Sequence, residues 1–91
     1  MKKYDVTEEL NQYIIGSTVI DSFVDPDICE GGLVVIFEKS KQRGIAILGY
    51  TELGEWIEYL QAGSKVVQKA EWVASKEINH INKIAQEYNI S

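Results

Sequence analysis

The chain is poor in the residues that mark special environments. It has one proline, one cysteine and one histidine in 91 residues. A single thiol forms no internal disulfide, so the disulfide-stapled scaffolds of small secreted domains are excluded and a cytosolic setting is expected. No apolar run approaches the roughly 18 residues that cross a bilayer, so no membrane partner is expected. The N-terminal MKKYDVTEELNQY has two lysines but no apolar stretch, and does not read as a signal peptide. One proline and no low-complexity tract leave no long disordered segment.

Basic residues are missing over long stretches. Between Tyr4 and Glu38 stand eight acids (Asp5, Glu8, Glu9, Asp21, Asp25, Asp27, Glu30, Glu38) and no Lys or Arg. Residues 44–64 add Glu52, Glu55 and Glu58, again without a base. The net charge of −5 therefore belongs to the first two thirds of the chain. Nucleic acid is disfavoured as a partner, because its affinity comes mainly from Lys and Arg on phosphates. A basic protein partner is favoured.

What is present is an ordinary globular composition, 45% apolar and 25% charged. The length gives a single domain, residues 1–91, with one modest core. DVTEELNQYIIG predicts an N-terminal helix: Asp5 caps it, Glu8 completes a capping box, and Gly16 ends it. STVIDSFVD, GLVVIFEK and GIAILGY are β-branched runs separated by turn residues. They predict an antiparallel meander over 18–24, 32–39 and 44–50.

In TELGEWIEYL the residues Leu53, Trp56, Ile57 and Leu60 fall at i, i+3, i+4 and i+7, one helical face. This predicts a helix after Thr51, with Trp56 in the core and Glu52, Glu55, Glu58 and Tyr59 facing solvent. A further helix is expected from Lys65 to about Tyr88, with Trp72 opposite its apolar stripe. The alternative is that SKVVQKAEW is extended, which moves Trp72. The expected class is α+β: a three-stranded antiparallel meander with an N-terminal helix and two C-terminal helices.

Motifs for chemistry are sparse. His80 has no acid three or four residues away and reads as a solvated polar residue. Cys29 has no base near it in sequence. The acids of DSFVDPDICEGG are hard donors that suit calcium or magnesium, but the spacing is not that of an EF-hand loop. They read as a turn whose aspartates bond their own backbone. Neither a metal nor a cofactor is expected, and no phosphate-cradling glycine motif is present. In size and acidic balance the chain is similar to many small inhibitor and immunity proteins, in type rather than in motif.

The expected function is that of a small acidic, non-enzymatic binding protein that inhibits or regulates a basic protein. Asp25, Asp27, Glu30, Glu52, Glu55, Glu58, Tyr59 and Trp72 are the expected contacts, since interface centres favour tryptophan and tyrosine. A homodimer is the other expected association, because a sheet with two apolar faces needs cover on both. The alternative is a small-ligand or sensor module, dimeric, with a pocket between sheet and helices.

Overall fold

The structure is a computed structural model that describes residues 13–28, 31–51 and 54–90; the side chains of residues 50, 51 and 54–56 are outside the description. Among the described residues five strands follow one another: β1 (Thr18–Asp25), β2 (Gly32–Lys39), β3 (Gln42–Thr51), β4 (Gly54–Ala62) and β5 (Lys65–Lys69). After them comes a helix, α1 (Ser75–Glu87). The sheet is an antiparallel meander in the order β1-β2-β3-β4-β5.

The three runs read as strands lie within β1, β2 and β3, but the sheet does not stop there. The expected helix after Thr51 is strand β4, and the first turns of the expected long helix are strand β5. The cause is a bulge. Leu48 pairs with Ile57 and Ile47 with Tyr59, so Glu58 is an extra residue in the register between β4 and β3. An extra residue shifts the period-2 alternation by one. Ile57 and Leu60 thus reach the same face at a spacing of three, which imitates a helix. The expected N-terminal helix falls almost wholly on residues outside the described ones. Only its last turn is seen, with Ser17 N–H donating to Ile14 O at 2.8 Å and Gly16 at φ 82.

Two tight turns set the registers. Lys39 pairs with Gln42, leaving Ser40 and Lys41 as a two-residue loop at φ 53 and 67. Positive φ at both central residues is the type I′ pattern. Ala62 pairs with Lys65 across Gly63, which takes φ 59.

Each sheet face has its own cluster. One face carries Val34, Ile36, Ile45, Ile47 and Tyr59, packed with Ile81, Ile84 and Ala85 of α1 and with Ile28 and Val73. Each fully buried aliphatic side chain here contributes roughly 1.5–3 kcal/mol. The opposite face carries Phe37, Ala46, Ile57 and Leu60, with Tyr13, Ile14, Val35, Leu48 and Val67 around them. Gly44 pairs with Phe37, and a Cβ at Gly44 would lie 2.3 Å from the Phe37 ring.

Helix α1 starts after Ala74, whose N–H is accepted by Glu77 Oε1 at 2.8 Å. It ends in a Schellman motif: Asn89 takes φ 59, Asn89 N–H reaches Gln86 O, and Ile90 N–H reaches Ala85 O at 2.8 Å. The helix has no base in its last turn, and Arg43 of β3 compensates by donating from Nη1 to Tyr88 O at 2.8 Å. The same arginine lies 3.5 Å from Glu38.

Candidate functional site

Alternation along β1 divides its side chains between two jobs. Asp21, Phe23 and Asp25 pair with Ile36, Val34 and Gly32 and share the face on which α1 lies. Ser22 and Val24 pair with Val35 and Leu33 and belong to the other face.

On the helix side, two aspartates hold α1. His80 Nε2 lies 2.8 Å from Asp25 Oδ2, and the Tyr88 hydroxyl donates to Asp21. His80 of α1 and Tyr88 at its C-cap are eight residues apart, and Asp25 and Asp21 four apart on β1, so the helix runs back along the strand with Ile84 between the two contacts. Burial pushes the Asp25 carboxyl up. The His80 hydrogen bond, the Asp27 N–H and the histidine's charge outweigh it and hold the group below the usual aspartate value. The hydrogen bond to Asp21 leads the causes that push the Tyr88 phenol up. His80 is thus not a solitary solvated residue: it pairs with an acid 55 residues away. Asp27 sits beside the pair, its N–H donating to Asp25 Oδ1 at 2.9 Å. One donor atom from each of Asp25, Asp27 and His80 lies within 4.8 Å of the others, so these three side chains could hold a cation.

On the other side β1 is bare. Val19 and Val24 are 57% and 64% exposed, Leu33 opposite Val24 is 37% exposed, and Ile20, the bulged residue of β1, is 38% exposed. Among the described residues β1 is an outer strand of the sheet, paired on one side by β2. The other outer strand, β5, is five residues long with exposed lysines at both ends. Short length and terminal lysines are ordinary protection against stray strand pairing. β1 has eight residues, no lysine and an apolar face.

The remaining expected contacts scatter. Tyr59 is 2% exposed, on the helix side of β4, and donates to Gln61 Oε1 at 2.6 Å; it cannot anchor a partner from there. Gln61 Nε2 in turn donates to Gly63 O at 2.7 Å. Glu58 is 7% exposed, its carboxylate filling the space over Gly49 and accepting from Trp72 Nε1 at 3.2 Å. Both were expected on the outside because a helical frame put them there. Trp72 lies in a turn after β5 and keeps 54% of its surface exposed. Glu30, Glu52 and the neighbouring Cys29 lie outside the described residues, as do the side chains of Glu55 and Trp56.

A hollow of about 210 Å³ is lined by Tyr13, Phe37, Lys39, Ser40, Gln42 and Ala62. It is smaller than the roughly 300–1,000 Å³ of ordinary ligand pockets. No helix among the described residues is long and apolar enough to cross a membrane. No protein-family model matches the chain, and neither a curated protein nor a solved structure does.

Proposed function

We propose that the chain is a non-enzymatic binding protein for a basic protein partner, and that it takes up an extended segment of that partner along the outer edge of β1, the first strand of the described sheet. Inhibition or regulation of the partner is the consequence of that docking. The observation that carries the reading is the contrast between the two outer strands: β5 is short and flanked by lysines, whereas β1 is long and exposes Val19 and Val24. Strand addition draws affinity from backbone hydrogen bonds and specificity from alternate side chains. Here the alternate positions are Val19, Ser22 and Val24 on one side and Asp21, Phe23 and Asp25 on the other. Asp21, Asp25 and Asp27 lie along or next to the strand, and no base occurs from Tyr4 to Glu38. Lysine or arginine on the incoming segment is therefore complemented, and the encounter is steered electrostatically. A second copy fits less well, because pairing β1 with itself sets the same carboxylates against each other.

The test uses two synthetic peptides of equal length, one alternating valine with lysine and one alternating valine with glutamate. Each is titrated into the isotope-labelled protein at low salt. The basic peptide should shift the amides of residues 18–25 and leave those of β5 unmoved, and the effect should shrink as salt is raised. Val24→Lys should abolish it while changing stability by no more than about 0.5 kcal/mol, the usual range for an exposed site. Equal shifts with both peptides, or shifts centred away from β1, would sink the reading. A mass of two chains at micromolar concentration, lost in Val24→Lys, would give the edge to a second copy instead.

A further inference from the structure

We propose that Asp25, Asp27 and His80 form a site for a first-row divalent cation, Zn²⁺ in the first instance. The three donors come from two elements that the fold fixes against each other. Asp25 ends β1, Asp27 lies in the turn that follows, and His80 stands in the middle of α1. The donor atoms already lie within 4.8 Å of one another, and Asp25 Oδ2 and His80 Nε2 are 2.8 Å apart. A four-coordinate zinc with bonds of about 2.0–2.1 Å keeps neighbouring ligand atoms roughly 3.3 Å apart. The Asp25–His80 pair therefore has to spread by about half an ångström, and the exposed Asp27 carboxylate has to swing inward, to meet that spacing.

The donor set selects the class of ion. One imidazole and two carboxylates suit zinc and its transition-metal neighbours, whereas calcium takes six to eight oxygens and magnesium keeps its waters. The orientation of Asp25 is set in advance. Its Oδ1 accepts the Asp27 backbone N–H at 2.9 Å, which leaves Oδ2 turned toward the imidazole. Outer contacts of this kind fix a ligating carboxylate. Three protein ligands leave a fourth position for water or for a donor from a partner. The ion would take the place of the direct contact between Asp25 and His80. It would also tie the end of β1 to a helix residue 55 positions later. The site shares Asp25 and Asp27 with the carboxylates invoked for the β1 edge, but its geometry rests on their approach to His80 of α1, and its test needs no peptide.

The experiment is a titration of the full chain with zinc chloride, followed by calorimetry and by the ring resonances of the histidine. His80 is the chain's single histidine, so its signals need no assignment. Wild type should bind one ion with the His80 ring signals moving in step, and the melting temperature should rise by about 5 °C or more at a hundredfold excess over the dissociation constant. Asp27→Asn keeps the Asp25–His80 pair and should weaken binding at least tenfold. His80→Asn should do the same; if it does not fold, Asp27→Asn decides alone. Cys29→Ser should leave the His80 shift in place. Ring signals unmoved at millimolar zinc, Asp27→Asn binding as tightly as wild type, or loss of zinc with Cys29→Ser alone would each overturn the site.

Discussion

Replacing Tyr59 with phenylalanine separates the two frames in which this segment can be read. On a solvated helix face the change would cost less than about 0.5 kcal/mol. In the structure the hydroxyl is buried and donates to Gln61 Oε1 at 2.6 Å, and Gln61 itself is 8% exposed. Its removal leaves a buried amide oxygen without that donor. Such a group costs roughly 1–3 kcal/mol, more than the modest net value of the hydrogen bond itself. For a domain of this size the fall in melting temperature is about 4–8 °C per kcal/mol. Urea denaturation should show a lower midpoint with an unchanged slope, because neither state changes the surface it exposes.

The same residue gives a pH signature. Burial raises the Tyr59 phenol above its ordinary value. A raised value in the fold means that its stabilisation is complete below the unfolded value, about 10, and is lost as pH rises beyond it. The gap between wild type and Tyr59→Phe should therefore narrow above about pH 10. Tyr88 also titrates high, but it is present in both proteins and cancels in the difference. A Tyr59→Phe protein as stable as wild type, with a pH-independent gap, would refute the buried strand placement of this residue.

Two further outcomes follow from backbone geometry. Ser40→Asn with Lys41→Gly should raise stability by roughly 0.5–1 kcal/mol, read as a higher denaturation midpoint, because both positions hold positive φ that asparagine and glycine accept more readily. The gain is net of the extra freedom glycine has in the unfolded chain. Gly44→Ala should cost at least about 1–3 kcal/mol, since the new Cβ would meet the Phe37 ring at 2.3 Å and the Gln61 backbone oxygen at 2.6 Å, and a backbone atom cannot rotate away; an unchanged midpoint in urea would show that β3 and β4 are not in this register.

How much of this was legible in the sequence depends on what each signal averages over. The runs in β1, β2 and β3 announce themselves because valine and isoleucine are stiff, favour the pleat and alternate between turns rich in Gly, Asp and Ser. The second half of the C-terminal helix was also readable, since Ile81, Ile84 and Ala85 repeat at helical spacing and are the residues buried in α1. In KVVQK, by contrast, the β-branched pair was outweighed by an apolar stripe that continues into α1 by chance. The helical frame puts Trp72 opposite an apolar stripe, whereas it lies in a turn, and both that turn and its contact with Glu58 depend on β5 being a strand. The Asp25–His80 pair had no sequence signal, because 55 residues separate its members.

Glu58 shows why the misread segment and the buried polar groups belong to one cause. As the extra residue of the β4 bulge, it has no counterpart in the register with β3, and its carboxylate is carried over Gly49. No side chain other than glycine's lets it lie there: a Cβ at Gly49 would stand 2.4 Å from Glu58 Oε1. The bulge also displaces the alternation that follows, so Tyr59 and Gln61 both face α1 and form a short hydrogen-bonded relay beside the apolar cluster. Without the extra residue, Ile57 would stand with Tyr59 on the helix side and Leu60 would no longer share a face with Ile57. A single insertion into the strand thus accounts for the helix-like spacing, the buried glutamate and the glycine beneath it. Acidic residues counted along the chain therefore do not add up to one acidic surface. Glu58 belongs to the interior, and the exposed carboxylates among the described residues are divided between Asp21 and Asp27 on and beside β1 and Glu71 and Glu87 near and on α1.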